Sequence, residues 1–182
     1  MKQLKVTDLK KHLMSKNQLE LIKEILNLCK LFPEVKEYYT TKLMPDAEEQ
    51  ILLKYKKIIK NEFFSDRGFG KLRFSIINKA MRNFKKISNN PGHIAELLVA
   101  CVEYGVEFTN TYGNIDERFY VRMAALYEDA AAYVIEKNLE ETFQKRLGNL
   151  VDASNGIGSG FYEELVELYY TYFDDEAVGG AR

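Results

Sequence analysis

The sequence predicts an all-α fold: a compact array of about eight antiparallel helices, or a short α-solenoid-like stack of them. Three observations predict it. Apolar residues recur at a helical spacing of about 3.6 residues along nearly the whole chain. Helix-start signals (Ser, Asn, Asp or Pro, with Glu or Gln three residues on) separate the periodic stretches. No segment alternates apolar and polar residues as a half-buried strand would. With 182 residues, 46% hydrophobic and 29% charged, the chain fits one folded domain over residues 1–173 and a frayed acidic tail over 174–182.

Taken in order, Ser15 and Gln18 have capping-box spacing and open a helix through LELIKEILNLCKLF. Leu19, Ile22, Leu26 and Cys29 mark its apolar side. Pro33 starts a short second helix, EVKEYYTTKL. Pro45, Asp46 and Glu49 announce the next, whose stripe is Ile51, Leu52, Tyr55, Ile58 and Ile59, with Lys56, Lys57 and Lys60 outside it. Residues 66–70 break that helix, and a basic helix follows. Asn90 then caps a helix with Pro91 at its first position, running through GHIAELLVACVEYGVEFTNTY to Gly113. This helix is apolar over most of its circumference and belongs at the centre. Gly105 in its middle predicts a close helix crossing. Asn114 and Glu117 form the next capping box, ahead of ERFYVRMAALYEDAAAYVIEK. NLEETFQKRLGNLVD, the break SNGIGSG and FYEELVELYYTYF complete the order. The Ala-rich run from Ala124 to Tyr133 has a faint tetratricopeptide-like pattern, without a repeat of fixed period.

The stretch that invites a functional reading is DRGFGKLRFSIINKAMRNFKKI, from Asp66 to Ile87. On one helix, Lys71, Lys79, Arg82, Lys85 and Lys86 fall within roughly 120° of one another, opposite Ile76, Ile77, Ala80, Met81, Phe84 and Ile87. Arg67, Gly68, Gly70 and Lys71 bring two glycines and two cations to the helix start, where the positive dipole end welcomes an anion. The candidate anion-binding residues are Arg67, Gly68, Gly70, Lys71, Arg73, Lys79, Arg82 and Lys86. A plainer reading competes: a glycine-containing connection ahead of a solvated face. A nucleotide loop is excluded, because Walker A needs four residues between its glycines, Ser or Thr after the Lys, and a preceding strand.

Chemistry elsewhere is thin. Glu96, Glu103 and Glu107 share a helix face near Glu128 and Asp129 of the next helix, but helical di-metal sites add Glu-x-x-His pairs. The two histidines, His12 and His93, stand in no such pair, so a solvated acidic face is the reading and no metal or cofactor is expected. Cys101 lies in an apolar helix that disfavours a thiolate. The glycines from Gly156 to Gly160 are flanked by Asp152, Glu163 and Glu164, which would repel a phosphate, so they read as a helix connection. The aromatic group Tyr162, Tyr169, Tyr170, Tyr172 and Phe173 reads as mostly core.

Charge is divided unevenly. Residues 1–90 carry twenty Lys and Arg against ten Asp and Glu, a net +10, whereas residues 91–182 carry six against seventeen, a net −11. Such asymmetry speaks about partners rather than fold. With the two cysteines read as reduced thiols, no apolar run of signal-peptide or membrane-spanning length, and no catalytic motif, the expectation is a cytoplasmic, non-enzymatic interaction protein. Its basic N-terminal face would meet an acidic protein partner, or the opposite pole of a second copy in weak self-association. The alternative is nucleic-acid or phosphate-ligand binding through residues 56–60 and 67–86.

Three stretches also resemble a known pattern: FGKLRFSIINKAMRNFKK, VEYGVEFTNTYGNIDERFY and SNGIGSGF. They resemble an uncharacterised bacterial family, a domain of unknown function, over nearly the whole chain. An aromatic residue stands in that pattern where this chain has Ser159. The resemblance implies one compact helical domain in a bacterial cytosol and brings no activity, cofactor or catalytic residue.

Overall fold

The computed structural model describes residues 3–66 and 68–173, and within them the chain is helical apart from one small hairpin. The helices are α1 (Val6–Met14), α2 (Gln18–Leu31), α3 (Pro33–Leu43), α4 (Glu48–Phe63), α5 (Phe74–Ile87), α6 (Pro91–Tyr112), α7 (Glu117–Glu136), α8 (Glu140–Ala153) and α9 (Phe161–Phe173). A 3₁₀ turn, Pro45–Ala47, precedes α4. Between α4 and α5, strands β1 (Phe64–Ser65) and β2 (Gly68–Phe69) pair antiparallel with Phe64 opposite Phe69. The predicted acidic tail, residues 174–182, lies outside the described residues.

Helix starts follow the local chemistry, with some shifts of register. Asn90 accepts backbone N–H bonds from Gly92 and His93 at the start of α6, as its position before Pro91 predicts. Two other caps fall elsewhere. Asn17, not Ser15, caps α2 in a reciprocal box with Glu20, because Ser15 closes α1 with its hydroxyl on the His12 carbonyl. Asp116, not Asn114, caps α7, and the Asn114 side chain instead reaches the Gly158 N–H and the Tyr120 hydroxyl. Asp46 sits in the 3₁₀ turn and caps nothing at α4, whose flanking residue Ala47 has no side-chain bond. Helix α1 precedes the first helix that the sequence predicts.

The core centres on α6, whose buried positions run from Ile94 to Thr109. Every well-packed helix pair is a chain neighbour or next neighbour: α6 meets α4, α5, α7 and α8, and α7 meets α8 and α9. The close crossing predicted at Gly105 is present. A Cβ there would lie 2.1 Å from Met123 Cε on α7, so a side chain at this position would have to displace the buried Met123 side chain. The hairpin is anchored by rings: Phe69 stands edge-on to Phe108 at 4.7 Å, and Phe63 and Phe64 join the same cluster. The aromatic group of α9 is only partly core. Tyr162, Tyr169, Tyr172 and Phe173 are half-buried and Tyr170 is exposed. In α1 and α2 no residue is buried at all.

Candidate functional site: a basic face on α5

The glycines before α5 serve the backbone. Gly68 has φ +97°, and Gly70 lies so near the end of α4 that a Cβ would sit 2.1 Å from the Glu62 carbonyl oxygen. Gly70 N–H donates to the Phe63 carbonyl and Leu72 N–H to that of Glu62, both at 2.8 Å. The hairpin thereby satisfies the last carbonyls of α4, which a helix leaves without partners. Arg67 lies outside the described residues.

Helix α5 starts at Phe74, four residues after Gly70, which corrects the expectation of glycines at its first turn. Lys71 is therefore an exposed loop residue and not a member of the helical stripe. Arg73 is engaged within the chain. Its guanidinium donates to Glu62 at 3.0 Å through Nε and 2.7 Å through Nη2, and its backbone N–H donates to the same carboxylate at 3.1 Å. Glu62 is 4% exposed, and the hydrogen bond from Arg73 holds its carboxyl below the ordinary range. The anion at the start of α5 is thus a carboxylate of the chain itself.

What remains open on α5 is the stripe Lys79, Arg82 and Lys86, spaced i, i+3, i+7 and all exposed. The opposite side is buried at Ile77, Ala80, Met81, Phe84 and Ile87 as the periodicity predicts, joined by Phe74, while Ile76 is only half-buried. Lys85 leans over the Tyr133 ring at 5.2 Å. Three cations of α4 are engaged: Lys54 pairs with Glu37, Lys56 with Glu96 at 2.6 Å, and Lys60 lies over Tyr104 at 5.5 Å, whereas Lys57 is exposed. Among the described residues, no carboxylate ion-pairs with Lys79, Arg82 or Lys86.

The acidic face of α6 is not simply solvated. Arg146 of α8 donates to Glu103 at 3.0 and 2.9 Å and also to Glu96, which Lys56 of α4 reaches from the other side. Burial pushes the Glu96 carboxyl up, but the hydrogen bonds from Arg146 and Lys56 outweigh it and hold the group below its ordinary value. The sequence held no signal for these partners, because Arg146 is fifty residues from Glu96. Glu48, 3% exposed, accepts from the Ser88 hydroxyl and lies 3.3 Å from His93 Nδ1, tying α4 to the start of α6.

Among the described residues no three His, Cys, Asp or Glu side chains are placed to hold a metal ion. Cys101 is fully buried, which pushes its thiol up to about 12 and leaves it no thiolate at neutral pH. One cavity of about 560 Å³ opens between α5 and α7, bordered by Arg73, Ser75, Asn78, Arg122 and Asp129. Arg122, which the sequence did not single out, stacks over Phe74 at 5.0 Å. The residues from Gly156 to Gly160 join α8 to α9, with Gly156, Ser159 and Gly160 at positive φ. No helix among the described residues is long and apolar enough to cross a membrane.

The chain belongs to a family of unknown function, DUF6155, whose sequence profile matches residues 4–158. No curated protein and no solved structure matches it.

Proposed function

We propose that this chain is a non-catalytic helical interaction protein that uses its basic N-terminal part, centred on α5, to engage an acidic protein partner. One observation carries the reading: Lys79, Arg82 and Lys86 form an exposed stripe on a rigid helix, without carboxylate partners among the described residues. Elsewhere the buried Glu62 and the half-buried Glu96 have captured their cations. Cations left open beside such pairing are free to meet charge from outside, and they act most on association rate and partner choice. Packing of α5 through its other face keeps the three charges in fixed register. The free thiols Cys29 and Cys101 suit a reducing, cytoplasmic location, and the resemblance adds a bacterial one.

Affinity purification from native lysate, with and without nuclease, tests the proposal. Acidic proteins should co-purify under both conditions. Loss of the retained material on nuclease treatment would assign the stripe to nucleic acid and overturn the protein-partner reading.

A further inference from the structure

The N-terminal arm is the part of the molecule that its own core does not explain. Eleven of the large apolar residues that stand exposed lie within residues 4–32, against eight in the remaining described chain. On α2 they form a ridge, Leu19, Ile22 and Leu26, exposed by 62%, 46% and 57%. Helix α1 turns Val6, Leu9, Leu13 and Met14 toward Leu21 of α2, around an open groove of about 550 Å³. Packing on the body does not cover these faces: α2 is well packed on α3 alone, and α1 has no well-packed partner.

We propose that the arm is a self-association surface, in which α1 and α2 pack on the same two helices of a second copy as one intermolecular helical bundle. The area is right for it. The exposed fractions of the eleven side chains amount to about six whole ones, and at roughly 60–120 Å² of apolar surface each that is about 400–700 Å² per copy. Two copies then approach the apolar share of a standard interface of about 1,600 Å² in total. Apolar surface on this scale lies at the upper end of the ~300–600 Å² that the largest patch of a monomer ordinarily has. Two amphipathic helices with no apolar layer above them complete a four-helix bundle when paired with their own kind, and a two-fold pairing closes on itself without growing into a filament.

Charge does not assign the arm to an acidic partner, because the more basic surface lies elsewhere on the chain. The described arm, residues 3–32, carries six lysines against Asp8, Glu20 and Glu24, a net +3. Residues 51–90 carry eleven cations against two carboxylates, so an acidic partner is drawn to α4 and α5 instead. Of the arm's lysines, Lys10 and Lys16 border the groove, Lys16 pairs with Glu24 at 3.4 Å, and salt screens the repulsion of those that remain exposed.

Sedimentation velocity on the full chain decides it, at ~0.1 M and ~1 M salt, where the Debye length is ~10 Å and ~3 Å. The expected result is a dimer at both, no weaker at the higher salt. The double variant Ile22→Glu, Leu26→Glu should weaken it ~100-fold or more, as loss of central apolar anchors does. Because α2 has no buried residue, that variant keeps the helical content of the body. The triple variant Lys79→Glu, Arg82→Glu, Lys86→Glu, which removes the face proposed for the acidic partner, should leave the dimer intact. A monomer at both salts overturns the inference. So does a dimer that dissociates at ~1 M salt, which would belong to the charged poles, or one indifferent to the double variant.

Discussion

Glu62 shows how one side chain decides the character of a loop. Its carboxylate is removed from water at the end of α4 and depends on Arg73 for both side-chain and backbone donors. Arg73→Ala should therefore lower stability in denaturant unfolding, by less than the loss from a fully buried pair because the arginine is half exposed. The pH dependence has a definite sign. A carboxyl held below its unfolded value of about 4.3 contributes fully above that pH, and its contribution is lost as pH falls through the lower folded value. Wild-type stability should fall across that acid range, and the fall should be shallower in Arg73→Ala; equal slopes would mean the pair is not linked to folding. Gly70 is constrained by backbone rather than by a flexible side chain, since an added Cβ meets the Glu62 carbonyl at 2.1 Å. Gly70→Ala should cost about 2–4 kcal/mol, at the upper end of single substitutions, because the loop must move to admit a methyl group. A thermal midpoint unchanged in that variant would show that the loop yields freely.

At the scale of elements, what could be read from the sequence depended on how local its cause was. The helical spans of α2 to α9, Gly105 at the α6–α7 crossing, Asn90 as cap and the buried side of α5 follow from periodicity and steric rules within one or two turns. Caps slipped where two candidates lay close together. Ser15 fits a capping box by spacing, but its hydroxyl closes α1, a nine-residue helix whose first turn has no side-chain cap to announce it. The anion-site reading lost Arg73 to Glu62 for a different reason: the partners are eleven residues apart and meet only because the hairpin turns the chain back. The α5 stripe survives as the set that was legible and stays open. If nucleic acid were its ligand, three phosphate contacts would give a log–log salt slope of about −2 to −3. Titration of duplex DNA across salt should give a slope nearer zero, and a slope in that range that vanishes on charge reversal of the stripe would count against a protein partner.

For the whole molecule, contacts confined to near neighbours in chain order keep the sequence's charge division in space. Basic α4 and α5 meet acidic α6 along one seam, where Lys56 with Glu96, and Lys60 over Tyr104, use up cations. Lys79, Arg82 and Lys86 lie on the side of α5 away from the core, so polarity of the chain becomes polarity of a surface. Direct interrogation of that surface compares the wild type with Lys79→Glu, Arg82→Glu, Lys86→Glu for what each retains from the same nuclease-treated native lysate, read by quantitative mass spectrometry. Circular dichroism of both proteins confirms equal helix content. The account predicts that acidic proteins held by the wild type fall ~10-fold or more on the variant, as reversal of three charges on one contact face requires. The same proteins held equally by both would contradict it.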